Sequence, residues 1–209
     1  MTIRKWQFPY VGYVLGHPFD GFYDLKHEKR GSGMTAAMLY VLLGLSALCR
    51  GRYTEYLFDP SGGKENALWQ LVIAVGPYVL WCVANWCFTS LMDGEGGLAD
   101  MLLATGYALT PQIIANFLVT GLSWILVSEE ASILSAVSAI GTIWTVSWVF
   151  FAMMITQQYS LGKSAVTAVL TLIGMALILF VLLLLFYLVQ QLWTFAGDLA
   201  AEIDLRLTV

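Results

Sequence analysis

Five apolar runs separated by polar turns constrain this 209-residue chain more than any other feature. They fall at about Met34 to Cys49, Ala67 to Met92, Leu102 to Val127, Ser132 to Thr156 and Ala165 to Trp193. A helix of about 20 apolar residues crosses the roughly 30 Å hydrocarbon core of a bilayer. Only 11% of the residues are charged and mean hydropathy is +0.75, whereas soluble domains carry about 25% charge. The fold class that follows is all-α: an integral membrane protein with a five-helix transmembrane bundle. Residues 1–33 read as a cytosolic or interfacial segment with an amphipathic helix, 34–193 as the membrane domain, and 194–209 as a short C-terminal surface helix or tail. The first run is short. Its 16 residues give about 24 Å of helix, so it must draw on its flanks, thin the bilayer or re-enter.

The middle of the chain carries the densest pattern. A polar turn, Met92–Asp93–Gly94–Glu95–Gly96–Gly97, separates the second and third runs, and Gly106–Tyr107–Ala108–Leu109–Thr110–Pro111 lies just inside the third. Proline in a helix removes a backbone donor and clashes with the carbonyl four residues back. In lipid the freed carbonyl needs a partner within the protein. Gly106 admits a close backbone, and Tyr107 and Thr110 can supply hydrogen bonds. The stretch therefore reads as a packed, kinked helix where helices meet. Pro77 predicts a second kink. Asn85 and Asn116, polar at membrane depth, are expected to face other helices. Ser135, Ser138, Ala139 and Thr142 give small-residue spacing for close packing in the fourth run. The leucine-rich fifth run has no polar face and is expected to lie on the outside, facing lipid.

The first 33 residues do not form a span. Trp6, Phe8 and Tyr10 are interrupted by Pro9, Gly12 and Gly16. From His17 to Gly31 the pattern is that of a short surface helix. Pro18 suits a first position, Asp20 and Asp24 lie early, Lys29 and Arg30 lie late, and Gly31 is a stop. Phe19, Phe22 and Tyr23 can share one face. That face has two readings: an interfacial anchor, because aromatic belts are routine at membrane surfaces, or a docking surface for a partner, to which Trp6 and Phe8 would add. No apolar core and cleavage site follow Arg4 and Lys5, so no signal peptide is expected.

Chemistry-bearing patterns are sparse. No run has an acidic, basic or histidine residue at its centre, which proton relays and ion-coupled transporters use. There is no Ser/His/Asp or Cys/His set, and Gly62–Gly63–Lys64 lacks the rest of a phosphate loop. Cys49, Cys82 and Cys87 read as small buried apolar residues, with no zinc spacing. Asp93, Glu95 and Asp100 read as a solvated acidic turn. No catalytic residue, cofactor or metal is expected, and the net charge of −4 offers no basic patch for nucleic acid. Membrane lipid is the one partner that composition implies. With five spans, Arg4, Lys5, Lys26, Lys29, Arg30 and Lys163 share one side, against Arg50, Arg52, Lys64 and Arg206 on the other. Positive charge inside then puts the N-terminus in the cytoplasm and the C-terminus outside.

Three places resemble the Yip-domain family of membrane proteins. These are the glycine turn Gly94–Gly97 leading to the Tyr107–Ala108–Leu109–Thr110–Pro111 element, the polar stretch Gln157 to Ala165 that ends the tryptophan-bearing fourth run, and the five-span spacing from Met34 to Gln190. The opening His17–Pro18–Phe19–Asp20–Gly21–Phe22–Tyr23–Asp24–Leu25–Lys26 is similar to that of bacterial members, many encoded near carbohydrate ABC transporters. The resemblance implies a non-catalytic accessory or scaffold subunit in the bacterial plasma membrane, associated with an ABC importer's permease. The eukaryotic members, named for interaction with Rab-type GTPases, imply the alternative of a membrane-shaping or trafficking factor. A small-solute pore is a third reading.

Overall fold

The computed structural model describes residues 8–53, 66–126 and 130–207, and all regular structure among them is α-helical. The order is α1 (Phe8–Gly16), α2 (Pro18–His27), α3 (Gly33–Tyr53), α4 (Ala67–Leu91), α5 (Leu98–Ala108), α6 (Thr110–Ser123), α7 (Ala131–Thr156) and α8 (Leu161–Leu207). Five spans are long and apolar enough to cross a bilayer: α3, α4, the α5–α6 pair, α7 and the first 37 residues of α8. The Gly62–Gly63–Lys64 turn and most of the acidic turn after the third span lie outside the described residues, as does Trp6.

Several boundaries differ from those expected. The first span is not short. Helix α3 takes in Arg50 to Tyr53, and its 21 residues reach about 31 Å. The third span begins at Leu98, and its helix breaks at Leu109. Pro111 cannot donate to the Tyr107 carbonyl, and the Thr110 hydroxyl does so instead, at 2.8 Å. The break thus leaves the Tyr107 carbonyl paired at membrane depth. Helix α4, by contrast, runs unbroken through Pro77. The fifth span and the tail are one helix: α8 continues past Trp193 for a total of 47 residues, about 70 Å, where a short surface helix or tail was expected. Its first part packs on α4, with Ser164, Thr167 and Thr171 fully buried. From Leu179 to Gly197 it is exposed on every side.

The core runs through the broken span. Tyr107, Ala108, Leu109 and Ile113 are buried against Ala36, Leu39 and Leu43 of α3 and Val149 and Ala152 of α7. Helix α7 turns Leu134, Gly141, Thr145, Val149, Ala152 and Thr156 inward. That stripe is not the one read from Ser135, Ala139 and Thr142, which are exposed. The Ser135 and Thr142 hydroxyls donate to carbonyls of their own helix, Ser132 and Ser138. A hydroxyl satisfied in this way needs no neighbouring helix. The close approach lies at Gly141, where an added Cβ would collide with the Ala115 methyl of α6. Of the cysteines only Cys82 is fully buried. Cys49 is half-buried and Cys87 is exposed, contrary to expectation.

Replacing Gly141 with leucine is expected to force α6 and α7 apart. Overpacking of this kind costs about 1–3 kcal/mol. Thermal unfolding in mild detergent should show a lowered midpoint, while leucine at the exposed neighbour Thr142 should be tolerated.

Candidate functional site

One end of the bundle is closed by a polar cap built from segments far apart in sequence. Helices α4 and α7 stop in the same manner, with left-handed backbone at Asp93 and Gln158 (φ 54° for each). The next amide folds back in both cases, Gly94 N–H to Thr89 O at 2.8 Å and Tyr159 N–H to Met154 O at 3.0 Å. This is the usual way of satisfying last-turn carbonyls, here without glycine at the left-handed position. The two turns are then joined by one buried amide. Gln157 Oε1 accepts from Gly96 N–H at 2.9 Å, and its Nε2 donates to Thr89 Oγ1 at 3.1 Å and Gly96 O at 3.3 Å.

The central glycines serve this joint through space. A Cβ on Gly96 would lie 2.8 Å from a Thr156 methyl and 3.0 Å from the Thr156 carbonyl oxygen. One on Gly94 would strike the Gln157 amide and lie 2.9 Å from the Tyr159 hydroxyl. Gly97 has room, and its N–H donates to Asp100 Oδ2 at 3.1 Å, capping α5. Met92 O gathers two donors from the far turn, Tyr159 O–H at 3.0 Å and Lys163 Nζ at 2.8 Å. Lys163 also sits over the Tyr159 ring, 4.1 Å from its centroid. Burial, followed by the nearby Asp93 charge, pushes the Tyr159 phenol above its ordinary range, so it stays a donor.

The N-terminal helices lock onto the same cap. Lys26 Nζ donates to Thr156 O at 2.7 Å and pairs with Glu95 at 3.3 Å, and His27 meets Gln158 at 2.8 Å. Helix α2 ends at His27, with Lys29 left-handed (φ 49°), rather than at Gly31. Gly31 is instead a close-packed position against Leu25 and Leu103. Helix α1, where the sequence shows only interrupted aromatics, folds back on α2. Tyr10 O–H donates to Gly21 O at 2.8 Å, and Gly21 leaves room for Val14.

The three candidate docking aromatics do not share a face. Phe22 is fully buried in the core, whereas Phe19 and Tyr23 are about half exposed, at 53% and 55%. Leu25 rather than Tyr23 joins Phe22 inside. Phe19 rests on Phe151 of α7 at 4.9 Å, and Tyr23 and the partly exposed Tyr13 stack on His27 and His17. Phe8 opens α1. The packing residues lie deeper. Asn85 is fully buried and donates to Thr171 Oγ1 at 3.0 Å and Met153 Sδ at 2.9 Å, tying α4 to α8 and α7. Tyr107 is buried, its hydroxyl accepting from Ser32 N–H, and Gly106 meets Ala36. Pro111 is buried, Pro77 is exposed, and Asn116 donates to Ser46 Oγ at 3.1 Å.

The glycine turn, the Tyr-Ala-Leu-x-Pro element and the polar stretch after α7 are thus parts of one assembly. Residues 12–185 match the family model for the Yip1 domain. The chain belongs to the Yip1 domain family. Comparison with curated proteins and with solved structures finds no match. The Yip1 domain match runs from within α1 through both turns of the cap into α8, ending among that helix's exposed leucines. Within this Yip1 domain, sequence reasoning named Gln157 and Lys26 only as parts of stretches that carry the resemblance, and gave neither them nor Val14 a site role. The one available signal was for Gln157, an amide at the end of a long apolar run, where a buried helix end needs a partner.

Gln157→Leu should cost about 1–3 kcal/mol, because it strands the buried Gly96 N–H. Unfolding in detergent at neutral pH reads that loss. Tyr159 makes a separate contribution. With its native pKa raised, its stabilisation is intact below the ordinary phenol value of 10.0 and declines as pH rises through the native value. Tyr159→Phe should therefore lose less stability than the parent on passing into that alkaline range.

Proposed function

We propose that this Yip1-domain protein is a non-catalytic membrane scaffold, an accessory subunit whose product is contact with another membrane complex. The observation that carries the reading is the division of labour within α1 and α2. Val14, Phe22 and Leu25 are buried in the bundle and Lys26 is tied to the cap. The same helices present Tyr13, Phe19 and Tyr23 outward. Aromatic side chains held in place before binding lose little freedom on association and are over-represented in protein interfaces. A plain lipid anchor would not need its opposite face fastened to two loops of the bundle. The sparse catalytic patterns in the sequence agree with a scaffold role.

The partner class is suggested by the His-Pro-Phe-Asp-Gly-Phe opening, which resembles bacterial Yip-like proteins encoded beside carbohydrate importers. The proposed setting is the bacterial plasma membrane, with the permease of a carbohydrate ABC importer as the neighbouring subunit. The cap and the N-terminal helices would face the cytoplasm and the end of α8 would lie outside. The positive residues Lys26, Lys29, Arg30 and Lys163 on the cap side support that orientation.

The test separates the two faces of α2. Phe19→Ser with Tyr23→Ser should leave the unfolding midpoint close to that of the parent yet remove permease and ATPase chains from a mild-detergent purification, as read by mass spectrometry. Phe22→Ser should instead destabilise the fold by about 3–5 kcal/mol, the scale of losing a buried aromatic. Unchanged co-purification in the Phe19/Tyr23 variant would refute docking through α2. Recovery of a small GTPase in place of transporter subunits would favour the trafficking role.

A further inference from the structure

The hairpin of α1 and α2 is sunk below the level of the cap, and its contacts with α7 give the depth. Lys26 Nζ meets Thr156 O, in the last turn of α7, at 2.7 Å. The Phe19 ring packs on Phe151 at 4.9 Å, and Trp148 Nε1 donates to Val14 O at 3.4 Å. Phe151 and Trp148 lie five and eight residues before Thr156, about 7.5 and 12 Å along the helix. Helix α2 therefore climbs alongside α7 from Pro18 to the cap. Helix α1 lies at the bottom of the hairpin, where Tyr10 meets Tyr107 with 6.2 Å between ring centroids. Around the same cap Leu91 and Leu161 are exposed, which suits hydrocarbon up to that level. The turn at Gly16–His17–Pro18 is thus inside the leaflet rather than on it.

Ionisable side chains lie at that depth and face outward. His17 and Asp20 are exposed, beside the exposed Tyr13 and Phe19. His17 stacks on Tyr13, 5.2 Å between ring centroids. Neither its imidazole nitrogens nor the Asp20 carboxylate has a hydrogen-bond or ion-pair partner among the described residues. The other charges of α2 are occupied, Asp24 by Arg30 at 3.3 Å and Lys26 by Glu95 and Thr156. Polar groups at membrane depth ordinarily face the bundle interior and pair there. Acyl chains offer a carboxylate nothing. The place of Asp20 in the first turn of α2 accounts for its sign, not for its outward position. A cation would complete this face, and the neighbouring aromatics supply an apolar contact for the segment that carries it.

Resting on the docking role proposed above, we infer that the outward face of this hairpin receives a membrane-spanning helix of the partner, with a Lys or Arg of that helix paired to Asp20 and its apolar side chains against Tyr13 and Phe19. Lys and Arg are concentrated near the cytoplasmic ends of spanning helices, and their long stems carry the charge some way along apolar surface. A soluble partner could reach Tyr23 near the cap but not Tyr13 at the bottom of the hairpin.

Photo-crosslinking of the full chain in its native membrane tests this contact. With benzoylphenylalanine in place of Tyr13 or Phe19, the crosslinked peptide should come from a membrane-spanning segment of the partner, within about two helical turns of a Lys or Arg. Asp20→Asn, with an unfolding midpoint close to that of the parent, should lower the co-purified permease about tenfold or more, and Asp20→Glu should restore most of it. Crosslinks only to lipid, to a soluble chain or to a second copy of this protein would overturn the inference, as would parental co-purification by a folded Asp20→Asn. Should Asp20→Asn not fold, the crosslink alone decides. If the Phe19→Ser, Tyr23→Ser variant loses the partner while either overturning result is obtained, the scaffold role stands without a membrane-spanning contact. Unchanged co-purification in that variant would remove both.

Discussion

A helix buried in hydrocarbon must find partners for the carbonyls of its last turn, and in this protein that demand is met at one place for two helices. The Gln157 side chain completes the turn after α4 while its own backbone begins the turn after α7. Because the Gly96 amide and carbonyl both bond the same side-chain amide, neither turn can shift without breaking bonds in the other. The remaining cap contacts depend on that alignment. Met92 O can receive both Tyr159 and Lys163 only if the turns are in register. Lys26 can reach Glu95 and Thr156 together only because those two residues are held side by side. The fold thus uses a short polar layer, rather than a long apolar one, to set where α2, α4 and α7 end and where α5 begins.

The number of spans was legible because it depends on the length of apolar runs, which lipid reads directly. The broken third span was legible for a related reason, since Pro111 must strand the Tyr107 carbonyl wherever that helix packs. Rotation of a helix about its axis was not legible. In α7, Gly141 and Thr142 are neighbours in sequence and both small, and only the position of Ala115 decides which one is the contact. In α2, Phe22 and Tyr23 are similar in size, and what separates them is the seating of α2 on α1 at the Gly21–Val14 contact, where the pattern of α1 is itself broken by Pro9, Gly12 and Gly16. Lipid solvates apolar residues on every face, so in membrane helices the pattern that betrays an inner face in water is largely absent. The end of α8 was misread for a similar reason. Composition changes at Thr194, but a change from apolar to polar solvent does not require a helix to stop.

The polar residues inside the bundle divide into two kinds, and the division follows the two ends of the molecule. Asn85, Thr167 and Thr171 lie between α4, α7 and α8 on the cap side, and they bond to one another, to sulfur or to their own helix. They hold α4 and α8 together and leave little room between them. Arg50, Gln112 and Asn116 lie toward the other end, where their bonds link α3, α6 and α7 through Asn116 Oδ1 and Ser138 Oγ. A charge is tolerated there because Arg50 sits in the last turn of α3, where the helix C-terminus favours a cation.

The same asymmetry explains how a small bundle can be rigid where it presents aromatics and open elsewhere. The interlocked turns and the buried Phe22 and Leu25 together fix α2, so the positions of Phe19 and Tyr23 are set from the opposite face of the same helix. On the other side α8 has no buried residue beyond Gly174 among the described residues, and from Leu179 to Gly197 it is exposed. The fifth span is therefore held from the cap as far as the Asn85–Thr171 bond and the Gly174–Phe88 contact, chiefly against α4.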